Sequence, residues 1–292
     1  MSSPASAIES GLQERLAELV AASSLELAPR ELHRAAEMAA LLPANTCVYL
    51  PSLPGLPLAR TLEAVAALRA VGLDPVPHVS ARRVLDRDEF RSFLKRSVDE
   101  YGVHRVLVIG GDEPKAKGPF EDSLAVIESG ILAECGVREI GVSGYPEGHP
   151  KIPPLVLEES LKKKIKMAGE QGLGLYVVTQ FSFSPARMVE FCSHLARTAP
   201  HVGIYMGVAG PTDPAALARY AQRCGVSVSL RALRNLGAGI AKLVTHTDPH
   251  EHVVALARYA RSREPGNLVG LHLYSFGGGV RTARWMSQLI SA

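Results

Sequence analysis

Aromatic side chains are scarce in this chain: a single Trp, Trp285, and 5% Phe, Trp and Tyr together over 292 residues. No Lys/Arg block is interleaved with aromatics, and the net charge is only +3, so the footprint of a nucleic-acid-binding surface is missing. Cys47, Cys135, Cys192 and Cys224 stand far apart, with no C-x-x-C pair. That spacing offers neither a zinc site nor a redox pair, and reduced thiols in a cytoplasmic protein are the simplest reading. No run approaches the ~18 apolar residues that a membrane helix needs, and Met1 to Ala7 hold no basic stretch leading into an apolar one. Neither nucleic acid nor membrane is therefore expected as a partner, while a homo-oligomer is compatible with the sequence. Low-complexity and linker-like tracts are also lacking. One domain over residues 1–292 is expected, with 1–22 an N-terminal extension and helix and 23–292 the main body. The composition, 47% hydrophobic and 21% charged, is that of a globular chain long enough for a substantial core.

What is present is a regular alternation of short apolar runs and amphipathic stretches. Strands are expected near 23–27, 46–50, 75–79, 105–110, 137–143, 174–180, 202–208 and 268–274. Val106-Leu107-Val108-Ile109 and Leu175-Tyr176-Val177-Val178 are continuous and rich in β-branched residues, as strands buried on both faces should be. Helical patterns fill the intervals: Glu31 to Leu42, Leu58 to Val71, Asp88 to Tyr101, Phe120 to Cys135, Glu158 to Gln171, Pro185 to Arg197, Pro214 to Cys224 and Glu251 to Arg263. Asp88, Ser184 and Asp213 are candidate N-caps, and Gly72, Gly102, Gly136 and Gly225 fall just past helix ends. Eight strand–helix units predict a (β/α)8 barrel with an extra N-terminal helix, Ala7 to Ala22, placed to cover its floor. Leu230 to Leu243 reads as an added helix near the mouth. A doubly wound sheet is disfavoured because no G-x-G-x-x-G turn follows the first strand.

In such a barrel the chemistry sits at the C-terminal ends of the strands. Those ends carry Glu26, His78, Gly110-Gly111-Asp112, Tyr145 with Glu147 and His149, Thr179-Gln180, and Tyr274 followed by Gly277-Gly278-Gly279. Pro146 and Pro150 stiffen the loop that presents Tyr145, Glu147 and His149. Each residue has a plain structural alternative. Glu26 is either a solvated residue or an inward carboxyl whose burial makes it a proton donor near neutral pH. His78 is either a satisfied core histidine or a ligand contact, and Asp112 either a turn residue or a site carboxylate. Gln180 ends an apolar strand and needs partners, which a ligand or a neighbouring loop could supply. The run Lys162-Lys163-Lys164 with Lys166 is either a solvated helix face or a phosphate site.

With these residues in view, the chain resembles the methylenetetrahydrofolate reductase family from about residue 20 to residue 280. Gly110-Gly111-Asp112-Glu113-Pro114 is similar to the family's R-G-D-x-P, Tyr145 to Pro150 to its Y-P-E-x-H-P, and Thr179 to Phe183 to its T-Q-x-x-F. Val76-Pro77-His78-Val79-Ser80 lies where the family has P-H-x-T, and Ser24 to Pro29 is a faint copy of F-E-F-F-P-P. The resemblance implies a flavin enzyme on a (β/α)8 barrel that reduces 5,10-methylenetetrahydrofolate to 5-methyltetrahydrofolate with NAD(P)H through FAD, ping-pong, in one-carbon metabolism and methionine biosynthesis. It implies Glu26 as general acid, Asp112 as a carboxylate beside both flavin and pterin, and Gln180 as a substrate contact. It implies His78, Gly111, Tyr145, His149 and Val178 as flavin contacts, and Lys163 and Lys164 near the flavin phosphates. The pattern departs at Gly110, where the family has Arg, at Leu27-Ala28, and at Gly277-Gly278, where Arg281 or Arg284 would have to substitute. A flavin-free folate-dependent transferase or lyase on the same barrel is the alternative, and a non-catalytic binding subunit a third reading.

Overall fold

The computed structural model describes residues 4–212, 214–224, 226, 249–262 and 266–292. The candidate cap Asp213, the candidate terminator Gly225 and the expected helix Leu230 to Leu243 lie outside the described residues. Eight parallel strands close into a barrel in sequence order. They are β1 Ser24–Glu26, β2 Cys47–Leu50, β3 Asp74–Ser80, β4 Arg105–Ile109, β5 Glu139–Gly144, β6 Gly174–Thr179, β7 Gly203–Ala209 and β8 Leu268–Tyr274. Closure is made by β8 pairing with β1, Ser24 opposite His272 and Leu25 opposite Leu273. The expected (β/α)8 barrel with an additional N-terminal helix is the observed fold.

The helices are α1 Pro4–Ala21, α2 Ala35–Ala39, α3 Leu58–Ala70, α4 Arg87–Tyr101, α5 Ser123–Glu128, α6 Ile131–Glu134, α7 Pro154–Glu170, α8 Pro185–Thr198, α9 Pro214–Arg223, α10 His250–Ser262 and α11 Gly279–Ile290. Three differ from expectation. The stretch Phe120 to Cys135 is two short helices, because Gly130 adopts φ +75° and stops α5 before α6 begins. Glu31 to Leu42 opens as a 3-10 turn, Pro29–Arg34, before the five-residue α2. Helix α4 is capped by Asp86 rather than Asp88: the Asp86 carboxylate accepts from the backbone N–H of Asp88 and Glu89. Ser184 caps α8 as expected, and Gly72, Gly102 and Gly136 take the left-handed conformation past their helices. The closing helix α11 has no counterpart among the expected elements. The N-terminal α1 packs on α10, α11 and β8.

Side chains on each strand alternate between two cores. The outward set, including Leu25, Val48, Val106, Val108, Ile140, Val142, Val177 and Met206, packs beneath the helices. The inward set is Tyr49, Val76, Leu107, Tyr176 and Val178. Gly141 makes room for it, since a Cβ there would meet the Tyr176 ring and Leu107 at 2.8–2.9 Å. The Tyr49 hydroxyl donates to the Tyr176 hydroxyl at 3.0 Å, which satisfies two phenols in the barrel axis. Among the described residues, no helix is long and apolar enough to cross a membrane.

Candidate active site

All eight strands run in one direction, so their last residues ring one open end. Glu26 is the last residue of β1. Leu25 belongs to the outer core and Ser24 binds the interior His272 (Oγ to Nδ1, 2.9 Å), so alternation turns Glu26 inward. Burial pushes its carboxyl up to about 7. Its backbone is fixed by Ser275, whose hydroxyl donates to the Glu26 carbonyl at 2.6 Å. Tyr274, at the end of β8, is half-buried beside it. Its phenol is held well above its ordinary value, chiefly by burial and then by the charges of Glu26, Cys224 and Tyr145. The same hydroxyl donates to the Thr179 carbonyl at 3.0 Å. Phe181 and Phe276 stand 5.4 and 6.1 Å from the Tyr274 ring and complete an aromatic wall on this side. Phe276 is held at φ +51°, an uncommon conformation for a bulky residue and of the kind that concentrates at functional sites.

The opposite side of the mouth is built by the loops after β4 and β5. Gly111 takes φ +97°, and a Cβ there would stand 2.3 Å from Ser80 Oγ, so only glycine lets this loop lie against β3. Asp112 is 92% exposed, with a carboxylate oxygen 4.0 Å from Arg83. Its charge reaches the next loop. The Tyr145 phenol is raised by burial foremost, with Asp112 adding to the shift. The His149 imidazole is lowered by burial and Lys151, with Asp112 opposing. Tyr145 and His149 form an edge-on pair at 5.0 Å. Electrostatic proximity therefore links Glu26, Tyr274, Tyr145, Asp112 and His149 around the rim.

Glu147 acts as a structural tie. Its carboxylate accepts from Ser182 Oγ at 2.5 Å and from the Phe183 N–H at 3.3 Å, joining the β5 loop to the β6 loop. Gln180 follows β6. Its backbone N–H donates to the Gly144 carbonyl at 2.8 Å, and its side-chain oxygen accepts from the Phe181 N–H at 3.1 Å. That leaves the amide nitrogen as its free donor. Val178 belongs to the interior cluster on the same face. His78 lies on the inward face of β3, its imidazole lowered by burial to about 3 and therefore neutral. Its Nε2 is buried without a hydrogen-bond partner, as is the hydroxyl of Ser80.

The lysine run divides. Lys162 pairs with Glu158 at 2.7 Å and Lys166 with Glu170 at 3.7 Å, both on the solvated face of α7. Lys163 is exposed on α7 and does not line the cleft that Lys164 lines, since neighbouring helix positions point ~100° apart. Lys164 turns inward. Burial lowers its ammonium, with Asp122 opposing. It lines a cleft of about 1050 Å³ between α7 and α8 that begins at Tyr145 and Glu147 and is floored by Leu157, Leu161, Phe191 and Leu195. Of the run Gly277-Gly278-Gly279, the Gly279 N–H at the start of α11 donates to the buried Glu31 carboxylate at 3.0 Å. Arg284 lies 4.0 Å from Glu37 on α2. The sequence reading missed Arg83 and the aromatic wall. Its available signals were the pair Arg82-Arg83 directly after the third strand and the Phe spacing after Gln180.

Comparison with known proteins agrees with this fold. The family model for methylenetetrahydrofolate reductase matches residues 55–254. Methylenetetrahydrofolate reductase 2 of Saccharomyces cerevisiae is 29% identical over 138 residues, 44% of this chain and 22% of that one. The 5,10-methylenetetrahydrofolate reductase of Pectobacterium carotovorum is 26% identical over 161 residues, 54% of this chain and 50% of that one. The chain thus spans from about a fifth to half of the length of these relatives. Among solved structures, an uncharacterized protein from Clostridium thermocellum, described as binding two copies of 5-methyl-5,6,7,8-tetrahydrofolic acid, superposes with a TM-score of 0.63. It does so at 13% identity over 97% of this chain and 99% of that one, a likeness of fold.

Proposed function

This chain belongs to the methylenetetrahydrofolate reductase family, and from that premise we propose that it reduces 5,10-methylenetetrahydrofolate to 5-methyltetrahydrofolate, with NAD(P)H as reductant and FAD between them. The observation that carries the reading is Glu26: a carboxyl at the barrel mouth raised to about 7 is still substantially protonated at neutral pH. In that form it donates a proton to a folate nitrogen and opens the five-membered ring of the substrate. The resulting folate cation is favoured by the negative charge of Asp112 on the facing loop. The Gln180 amide nitrogen is free to donate to the pterin, and the half-buried Tyr274 and Phe276, backed by the buried Phe181, offer it apolar faces.

The residues fit a flavin ring. His78 Nε2 and Ser80 Oγ are buried polar atoms awaiting a partner, and a Cβ placed at Gly110 would meet nothing within 4 Å. His78, Gly111, Asp112, Tyr145 and His149 would hold the ring, with Val178 in the floor beneath it. Lys164 would face the phosphates. FAD, when bound, takes hydride from NAD(P)H and gives it to the folate, and the two substrates use its face in turn. Gly110 supplies no cation where the family motif has Arg, which favours as second reading a flavin-free folate-dependent transferase or lyase. Visible absorbance and FAD titration of the purified protein separate the two. A yellow protein that oxidises NAD(P)H only when methylenetetrahydrofolate is present supports the first. A colourless one that binds folate and refuses FAD supports the second.

A further inference from the structure

We propose that Arg83 is a positioning residue that holds the loop carrying Asp112 at the barrel rim by tying three loops together. Arg83 ends the 3-10 turn Ala81–Arg83 that follows β3, and its side chain is only 14% exposed. It reaches forward and back along the chain. Its Nε donates to Glu113 Oε1 at 2.5 Å, in the loop after β4. Its Nη1 donates to the carbonyl of Ser52, in the loop after β2. Its Nη2 lies 4.0 Å from Asp112 Oδ2. One planar guanidinium thus spends its fork on three separate connections, a geometry the point charge of lysine cannot reproduce.

The Glu113 carboxylate is 10% exposed. Burial pushes it up, but the hydrogen bond and charge of Arg83, its own N–H and Lys117 together hold it below the usual range. Arg82 secures the same loop from its other side, donating Nε to the Glu121 carbonyl at 2.8 Å and Nη1 to the Glu113 carbonyl at 2.9 Å. The backbone follows: Arg82 N–H to Gly110 O and Lys117 N–H to Arg82 O, both at 3.0 Å. Asp112 has no such anchorage. At 92% exposure, nothing packs on its side chain to select a rotamer. The point from which its side chain extends, and so the region its charge can occupy, is set by the backbone of Gly111 to Glu113, and that backbone is held by Arg83. A displacement of about 1 Å at a charge facing the reacting centre is enough to cost a large factor in rate.

The inference deepens the role given above to Asp112 and rests on it. The test uses the full chain with FAD and compares Arg83→Met, Arg83→Lys, Asp112→Asn and the double variant Arg83→Met with Asp112→Asn. Folate reduction and flavin reduction by NAD(P)H are followed separately. Arg83→Met should lower kcat for folate reduction ~10-fold or more, with KM little changed and flavin reduction intact. Arg83→Lys should recover part of the loss. Arg83→Met added to Asp112→Asn should cost nothing further, because both act through one carboxylate. Without any ligand, brief trypsin treatment should cut after Lys115 or Lys117, both exposed on this loop, faster in Arg83→Met than in wild type or Asp112→Asn. Losses that multiply in the double variant, or unchanged cleavage together with unchanged folate reduction in Arg83→Met, would overturn the proposal. An Asp112→Asn protein that reduces folate normally would remove the role of Asp112 and this proposal with it. An impaired Asp112→Asn beside an unimpaired Arg83→Met would overturn this proposal alone.

Discussion

Glu26 decides more than any other single side chain. The folded protein holds its carboxyl at about 7, against 4.5 without burial. Between those values the folded state keeps a proton that the unfolded chain releases, so stability from this group is present at low pH. It falls as pH rises and is fully lost above about 7. Glu26→Gln removes the ionisation. The variant should melt above wild type at about pH 8, with the gap closing toward pH 4, as thermal unfolding at both pH values would record. An equal gap at both would mean that Glu26 is not buried as a carboxyl. That Glu26, Asp112, Gln180, Tyr145 and His149 gather at one end of the barrel was legible in the sequence, because each sits at or just past a strand end and parallel strands bring such ends together. His78 lies deeper, since β3 runs on to Ser80. Lys163 and Lys164 part ways, one exposed and one turned to the cleft, because adjacency in sequence is not adjacency on a helix. Arg83 was hidden for another reason: its importance lies in Ser52 and Glu113, 31 and 30 residues away. No local pattern reports such a pairing.

Among the elements, the loops rather than the strands carry the unexpected features. Helix α11 begins at Gly279, whose N–H is held by Glu31 from the turn after β1. Both groups are buried, so the bond closes the barrel where its last unit meets its first. Glu31→Ala leaves a buried donor without a partner at a helix N-terminus and should cost about 1–3 kcal/mol, read from the denaturation midpoint in urea. No change would show that water replaces the carboxylate. The strands were readable because continuous β-branched runs leave little alternative. The break between α5 and α6 was less so, since Ser129-Gly130 interrupts an otherwise helical pattern by only two residues. The cap of α4 depended on which of two aspartates, Asp86 or Asp88, adopts extended backbone, and the structure gives that to Asp86.

For the molecule as a whole, the fold and the family are separate supports. The barrel follows from eight apolar runs separated by helical stretches, the last interval longer than the rest. The family match, residues 55–254, leaves out both Glu26 and Tyr274. Their convergence at one rim is therefore an independent structural observation rather than a restatement of the match. If the mouth holds FAD, ligand binding must stabilise the folded chain. Free FAD at about 100 times its Kd should add about 2.7 kcal/mol, visible as a rise in Tm that AMP alone does not reproduce. An unmoved Tm would take FAD out of the account and leave the barrel as a folate site. The central claim, that Glu26 is the acid of folate reduction, is tested most directly by rapid mixing of wild type and Glu26→Gln in the two half-reactions. The account predicts that flavin reduction by NAD(P)H survives while reoxidation of the flavin by methylenetetrahydrofolate slows ~10²-fold or more. Equal slowing of both half-reactions, or unimpaired reoxidation, would contradict it.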